Sequence, residues 1–216
     1  MKIKRGLFIT FEGPEGSGKS TQLELLASAL EAAGSSVLRL REPGGTNLGE
    51  ILRELIKHPA ETVKICDTAE ILLFEASRAQ IVRERILPAL ESGITVLCDR
   101  YADSTTVYQG LARKIDAQSV AFLNHFATNG LTPDLTVLID ISVESGLARA
   151  NERDSNTPDR LEQESRAFHE SVRQGFLQLA QQSPERFLVL EGALDKHTLS
   201  TTILQSVQQR KAQHGL

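Results

Sequence analysis

The chain has 216 residues, of which 40% are hydrophobic and 24% charged, a composition typical of a soluble globular protein. This length is enough for one full hydrophobic core, and we expect residues 1–216 to form a single domain. A net charge of −4 argues weakly against work on nucleic acid or an anionic membrane, and no apolar run approaches the roughly 20 residues of a membrane span. We therefore expect neither nucleic acid nor membrane among its partners.

Cysteine and histidine usage gives no sign of a disulfide framework or a metal centre. The two cysteines, Cys66 and Cys98, form no C-x-x-C pair, and Cys98 lies inside an apolar strand pattern. The five histidines show no spacing typical of metal ligands. A reduced cytoplasm is the simplest location for such a chain.

Apolar runs typical of buried strands alternate with helical patterns along the chain. The strand patterns cover residues 6–11, 37–40, 94–98, 135–139 and 187–190. Seven helical patterns follow. The first three leave Lys19, pass through Ile51 and Leu55, and run from Asp67 or Thr68 to about Glu91. The other four run from about Ser104 to Ala127 with a break near Gly110, from Ser142 to Arg149, from about Asp159 to Gln182, and from Thr198 to about Gln209. This alternation predicts an α/β fold, a five-stranded parallel sheet with helices on both faces.

The most specific motif lies between the first strand and the first helix. It fits G-x-x-x-x-G-K-[ST] and consists of Gly13, Pro14, Glu15, Gly16, Ser17, Gly18, Lys19 and Ser20, followed by Thr21. The backbone N–H groups of such a loop form an anion-binding nest, and the following helix adds the positive end of its dipole. Lys19 would reach the β- and γ-phosphates and Ser20 would place a hydroxyl on Mg²⁺. We therefore expect the segment to bind a nucleoside triphosphate.

Parallel sheets bind ligands beyond the carboxyl ends of their strands. That rule places Glu12, the loop 41–46 and the segment 99–101 in one cleft with the phosphate loop. Arg100 suits a second phosphate because its guanidinium binds oxygen atoms bidentately, although a surface ion pair is the alternative. Asp99 would either orient Arg100 or help to hold Mg²⁺. Whether the Glu42–Pro43 bond is cis cannot be read from the sequence.

Two further segments are candidates for substrate contacts. Phe74 and Arg78 are four residues apart, so they share a helix face and together suit a base that carries a carbonyl. A core phenylalanine beside a solvated arginine is the commoner arrangement. Arg149, Arg153 and Arg160 border a polar stretch, and we interpret residues 149–162 as a lid that closes over a triphosphate. A solvated charged loop is the alternative.

Together these segments resemble the bacterial thymidylate kinases. The matching segments are residues 11–21, 41–46, 72–80, 99–110 and 159–162. The phosphate loop is shared by many families, whereas the Glu-Pro-Gly-Gly-Thr and Asp-Arg-Tyr…Tyr-Gln-Gly segments together are far more specific. The resemblance implies the nucleoside monophosphate kinase fold, with ATP-dependent phosphorylation of dTMP to dTDP in dTTP synthesis, Mg²⁺ as cofactor and a homodimer.

The resemblance also implies roles for individual residues. Phe74 would stack on thymine, Arg78 would bond its O4, and Thr105 and Gln109 would complete the base site. Other residues implied in the dTMP site are Tyr108 against the deoxyribose, Arg53 and Arg100 at the acceptor phosphate, and the loop residues Glu42 and Pro43. Glu12 would lie near the acceptor sugar and the metal, which Ser20 and Asp99 also approach.

The family has two layouts for its transition-state arginine, one in the phosphate loop and one in the lid. The loop position here is Gly16, whereas Arg149, Arg153 and Arg160 are available in the lid, so the chain resembles the lid layout. Three other functions stay open at this point, of which a non-enzymatic scaffold that keeps the fold is the least favoured because every expected polar group is present. A regulatory GTPase is disfavoured because Asp140-Ile141-Ser142 stands where a guanine-reading Asn-Lys-x-Asp would follow the fourth strand. A kinase for a deoxynucleoside or for another monophosphate is the nearer rival.

Overall fold

A parallel five-stranded sheet in the order β2-β3-β1-β4-β5 forms the centre of the protein. Its strands are β1 Phe8–Glu12, β2 Val37–Arg41, β3 Thr95–Asp99, β4 Leu135–Asp140 and β5 Phe187–Glu191. The computed structural model describes residues 5–153 and 159–214. Because β1 lies between β3 and β4, the order of the strands reverses beside it, and a crevice opens beyond the carboxyl end of β1. The fold predicted from the sequence is confirmed.

Helices surround this sheet. In the part of the chain that the structure describes they are α1 Lys19–Ala32, α2 Asn47–Lys57, α3 Asp67–Ile81, α4 Leu87–Glu91, α5 Ala102–Thr105, α6 Ala117–Thr128, α7 Val143–Arg153, α8 Arg166–Gln182 and α9 Lys196–His214, with π-helical segments at Val82–Ile86 and Thr106–Ala112. The first π segment joins α3 to α4, so the helix predicted to run to about Glu91 is continuous. None of these helices is long and apolar enough to cross a membrane.

Alternate strand residues feed apolar clusters on opposite faces of the sheet, as the twofold period of a strand requires. Ile9 and Phe11 of β1 pack with α1 and α9, whereas Phe8 packs on the other face against the π segment that follows α3. Each of these side chains is fully buried, which stabilises the fold by about 1.5–3 kcal/mol per large apolar residue. Cys98 belongs to the second cluster, which confirms the prediction that it is a core residue.

Several predicted helix boundaries were wrong. The helix expected from Asp159 begins at Arg166, because Asp159 Oδ1 accepts hydrogen bonds from the backbone N–H groups of Leu161 and Glu162 and shapes a turn instead. Ser165 then caps α8 by accepting from Phe168 N at 3.2 Å.

Other boundaries moved for similar local reasons. The break expected near Gly110 falls at residues 113–116, where Asp116 caps α6 by accepting from Ser119 N at 2.8 Å. Helix α3 begins at Asp67, one of its two predicted starts, and Cys66 occupies the N-cap position. Helix α7 extends past Arg149 to Arg153, and α9 is longer than predicted at both ends.

Candidate active site

The phosphate loop joins β1 to α1 at the centre of the crevice. Gly16 adopts φ +67°, and a Cβ atom there would lie 2.0 Å from the carbonyl oxygen of Gly146 at the start of α7. A side chain at this position would therefore strain the backbone and collide with a second element. Gly18, at φ +95°, forms the N-terminal cap of α1, so the amide end of that helix faces the loop.

Lys19 is held inside this loop. Its Nζ donates to the carbonyl of Pro14 at 2.8 Å and to Gly13 O and Ser17 Oγ at 3.2 Å. Burial and the nearby charge of Arg100 lower the pKa of the Lys19 ammonium to about 8. The described residues thus offer the ammonium only neutral oxygen atoms at hydrogen-bond distance, although the charge of Glu15 also acts on it, and phosphate oxygens would supply anionic acceptors.

Arg100 connects the phosphate loop to the segment after β3. Its Nη2 lies 2.6 Å from Glu15 Oε1, and its Nη1 donates to Gly13 O and Ser104 Oγ. Burial alone would raise the pKa of the Glu15 carboxyl, but the charges of Arg100 and Lys19 outweigh burial and lower that pKa to about 2. Tyr108 donates to the same carboxylate, and its ring lies beneath the Arg100 guanidinium at 5.1 Å.

Glu12 is a fully buried carboxyl at the end of β1. It accepts hydrogen bonds from Tyr101 N at 2.8 Å and from Ser104 Oγ at 2.6 Å. Burial, with a smaller contribution from the charge of Asp103, raises the pKa of Glu12 to about 8. An additional cation in the crevice would therefore favour its ionised form.

Two oxygen groups meet where the phosphate loop faces the end of β3. Ser20 Oγ donates to Asp99 Oδ2 at 2.5 Å. A hydroxyl and a carboxylate are hard oxygen donors of the kind that Mg²⁺ prefers, and the ion commonly completes its shell with substrate phosphates and water. The described residues contain no group of three or more His, Cys, Asp or Glu side chains suited to a metal. The site therefore fits an ion that enters with a polyphosphate.

At the other end of the cleft, Arg78 is buried. The alternative expectation, a core phenylalanine beside a solvated arginine, is therefore wrong for Arg78. Phe74 is half-buried on the same face of α3 and lines the cleft. The guanidinium of Arg78 donates to the side chains of Glu42, Glu75, Thr105 and Asn124 and to the carbonyl of Tyr101. The Glu42–Pro43 peptide bond is cis, and Arg53 Nη1 donates to Pro43 O at 2.9 Å.

The predicted lid arginines lie away from the cleft as far as they are described. Arg149 Nη1 donates to Gly192 O at 3.1 Å, and Arg160 Nη2 donates to Glu70 Oε2 at 2.5 Å. The side chain of Arg153 and residues 154–158 lie outside the described residues. The structure thus does not bring Arg149 or Arg160 to the phosphate loop.

A cavity of about 460 Å³ connects the two ends of the cleft, a size typical of a small-molecule site. The predicted residues that line it are Glu15, Gly16, Ser17, Gly18, Lys19, Ser20, Thr21, Glu42, Pro43, Arg53, Phe74, Arg78, Asp99, Arg100, Thr105, Tyr108 and Gln109. Two lining residues, Lys57 and Ser104, were not predicted, whereas Arg41 belongs to the loop expected in the cleft and Asp159, Leu161 and Glu162 belong to the segment interpreted as a lid. Lys57 lies one helical turn after Arg53, so the helical spacing alone was enough to suggest it.

Known proteins share this fold and these segments. The sequence profile of the family described as Thymidylate kinase matches residues 11–203. The chain is 51% identical over 208 residues to the thymidylate kinase of Deinococcus radiodurans, covering 96% of this chain and 99% of that one. It is 45% identical to the thymidylate kinase of Trichlorobacter lovleyi, with 95% and 99% covered. The crystal structure of thymidylate kinase from Ehrlichia chaffeensis is similar with a TM-score of 0.77 at 31% identity, covering 94% of this chain and 99% of that one. The chain belongs to the thymidylate kinase family.

Proposed function

We propose that the protein transfers the γ-phosphoryl group of ATP to dTMP, yielding dTDP and ADP. The observation that carries this proposal is the continuity of the cleft: the phosphate loop lines one end and Phe74 and Arg78 line the other. Arg100 contacts both regions, since it bonds Gly13 in the loop and Ser104 beside the base end. Family membership supports the same reaction.

On the donor side, residues Gly13 to Thr21 bind the phosphates of ATP through backbone N–H groups and the end of α1. Lys19 exchanges its bonds to backbone carbonyls for bonds to the β- and γ-phosphates. An ammonium that exchanges neutral carbonyl acceptors for anionic phosphate oxygens adds Coulomb attraction between opposite charges to hydrogen bonds that its own charge already strengthens.

On the acceptor side, Arg100 and Arg53 hold the phosphate of dTMP. Phe74 stacks on the base, and Arg78 offers an N–H to its O4 beside Thr105 and Gln109. Tyr108 lies against the deoxyribose, and Glu42 and Pro43 form the adjoining wall of the site. These positions surround one cavity, which supports assigning all of them to one nucleotide.

Ser20 and Asp99 would hold Mg²⁺, with Glu12 nearby through water. When bound, Mg²⁺ neutralises phosphate charge and aligns the donor. The chain's own contribution is positional: no covalent nucleophile is required, because in-line transfer depends on orientation and charge neutralisation. Arg149, Arg153 and Arg160 belong to the proposed lid at residues 149–162, whose closure would bring guanidinium groups to the transferring phosphoryl group.

We also propose that the chain is one domain that forms a homodimer in the cytoplasm. Large apolar side chains remain exposed on three neighbouring helices, with Phe122 at 66% and Phe126 at 68% on α6, Ile51 at 67% on α2 and Leu72 at 51% on α3. The two phenylalanine rings stack on each other with centroids 6.3 Å apart. An apolar patch of this kind favours contact with a second copy.

The test is an ADP-release assay on the purified chain with Mg²⁺ and ATP. The acceptors, offered separately, are dTMP, dUMP, dCMP, UMP, dGMP, AMP and thymidine. A strong preference for dTMP is expected. Turnover of a different monophosphate would retain the phosphate site and reject the base site. Turnover of thymidine above dTMP would favour a nucleoside kinase, and guanine nucleotide affinity without any transfer would favour a switch protein.

A further inference from the structure

Glu70 lies outside the cleft lining, yet its carboxylate connects the base site to the predicted lid. The side chain is fully buried and accepts from Gln109 Nε2 at 2.8 Å on Oε1 and from Arg160 Nη2 at 2.5 Å on Oε2. Arg113 donates to both oxygens at 3.3–3.4 Å. Burial would raise the pKa of Glu70, but the hydrogen bonds from Gln109, Arg160 and Arg113 outweigh burial and lower it. The group is therefore an ionised carboxylate at neutral pH.

An ionised carboxylate accepts hydrogen bonds and donates none. Gln109 can satisfy it only with its NH₂ group, so the chemistry of Glu70 fixes which end of the Gln109 amide points toward it. The amide oxygen then lies on the opposite side. Gln109 lines the cleft, and no described residue donates a hydrogen bond to that oxygen. Position 109 thus offers an acceptor for a bound ligand.

The neighbouring polar group has the opposite character. The Arg78 guanidinium, which has only donors, bonds Thr105 Oγ1 at 2.8 Å, and Thr105 lies one helical turn before Gln109. An acceptor at position 109 matches a pyrimidine edge that has an N–H at position 3, and the positive charge of Arg78 nearby favours a carbonyl oxygen at position 4. Cytosine has the reverse arrangement, an acceptor at N3 and an amino group at C4.

We propose that Glu70 is a positioning residue that holds the Gln109 amide with its oxygen toward the base, so that the site selects pyrimidines with an N–H at position 3 over cytosine. This inference rests on the proposed function, since it assumes that a pyrimidine monophosphate occupies the cleft. Glu70 itself contacts neither substrate.

The substitution Glu70→Gln tests the proposal through a reversal of hydrogen-bond polarity. The introduced amide has one oxygen, which the cations Arg113 and Arg160 draw to the former Oε2 position. Its NH₂ group then faces residue 109, and the Gln109 amide turns so that its own NH₂ points into the cleft. A donor there opposes the N–H of thymine and matches N3 of cytosine. We expect kcat/KM for dTMP to fall about tenfold while that for dCMP does not fall, as suits one mismatched hydrogen bond.

The proposal is tested by measuring kcat/KM for dTMP and for dCMP in four proteins: wild type, Glu70→Gln, Gln109→Leu and the double variant. In the Gln109→Leu background, Glu70→Gln should leave the dTMP to dCMP ratio unchanged. The control Glu164→Gln removes the charge of another anionic partner of Arg113, whose Oε1 lies 2.6 Å from Arg113 Nη2, and should keep the wild-type ratio.

If circular dichroism shows that Glu70→Gln is unfolded, Glu70→Asp is the second variant. It keeps the charge but withdraws the carboxylate from Gln109, and it should also lower the ratio of kcat/KM for dTMP to that for dCMP.

Equal losses for dTMP and dCMP would overturn the proposal, because a purely structural role lowers both. A fall in the ratio that persists in the Gln109→Leu background would also overturn it. Wild type that phosphorylates no pyrimidine monophosphate would refute the proposed function instead, so the two failures are distinguishable.

Discussion

Arg78 Nε donates to Glu42 Oε2 at 2.8 Å, and both side chains are buried where the loop after β2 meets α3. Glu75 accepts from the same guanidinium at 2.8 Å, so two carboxyl groups share one cation. Burial raises the pKa of Glu42 to about 7, against the opposing effect of Arg78, and burial also raises the pKa of Glu75. The pair joins the loop that carries Pro43 to the helix that carries Phe74.

Removing Glu42 should therefore destabilise the protein and weaken dTMP use. Glu42→Ala leaves buried donors of Arg78 unpaired, and we expect the free energy of unfolding to fall by about 1–3 kcal/mol. Urea denaturation at pH 7.5 measures this loss. Glu24→Ala is the control, since Glu24 pairs with Arg39 at 3.0 Å on the surface and should change the free energy of unfolding little. Equal losses in both variants would contradict the role given to Glu42.

Phe74→Ala should raise KM for dTMP about tenfold and leave KM for ATP unchanged. The expected size comes from base–aromatic stacking, which is worth about 1–3 kcal/mol per base. Gln80→Ala, on the same helix, removes a surface hydrogen bond to Glu84 and should alter neither constant. Steady-state kinetics with each substrate varied in turn measure the effect. A matched rise in both KM values would place Phe74 outside the base site.

The features that the sequence predicted well depend on local patterns. Continuous apolar runs predicted the strands, and the phosphate-loop motif predicted the residues from Gly13 to Thr21 that join β1 to α1. The rule for parallel sheets placed Asp99 and Arg100 in one crevice with the phosphate loop, and both residues line the cavity there. The fold and the donor end of the cleft were therefore accessible from the sequence.

The features that the sequence did not predict depend on contacts between distant residues. A solvated Arg78 was the commoner expectation, since Glu42, the partner that permits its burial, lies 36 residues earlier. The start of α8 was wrong because the side chain of Asp159 bonds nearby backbone amides, which an apolar period does not report. Glu70 received no role, because Gln109 and Arg160 converge on it only after folding.

Gly16→Ala should impair the use of ATP although the substitution adds only one methyl group. The added Cβ would lie 2.0 Å from Gly146 O, so the loop or α7 must move. We expect this displacement to lower kcat/KM for ATP at least about tenfold. The backbone strain of alanine at positive φ, roughly 1–2 kcal/mol, is a separate cost to the free energy of unfolding. Gly34→Ala is the control: it has φ +82° with no atom within 4 Å, so it should be strained yet kinetically normal. Wild-type kinetics in Gly16→Ala would show that this contact is unimportant.

The raised pKa of Glu12 makes a prediction about stability and pH. Its ordinary pKa is 4.5, and burial with the Asp103 charge raises it to about 8 in the folded chain, although Arg100 opposes the shift. Between these two pH values the folded chain binds more protons than the unfolded chain, so stability falls as pH rises. The penalty is absent below pH 4.5 and complete above about 8. Glu42 acts in the same direction up to about pH 7.

Glu12→Gln removes the Glu12 part of this dependence alone. We expect the variant to match wild type near pH 4.5 and to exceed it by a few kcal/mol at pH 8.5, because only wild type then carries a buried carboxylate at position 12. Urea unfolding of both proteins at half-unit steps from pH 4.5 to 8.5 measures the difference, and the contribution of Glu42 cancels between them. Parallel curves across that range would mean that Glu12 ionises with an ordinary pKa, and a difference that shrinks as pH rises would reverse the assigned sign.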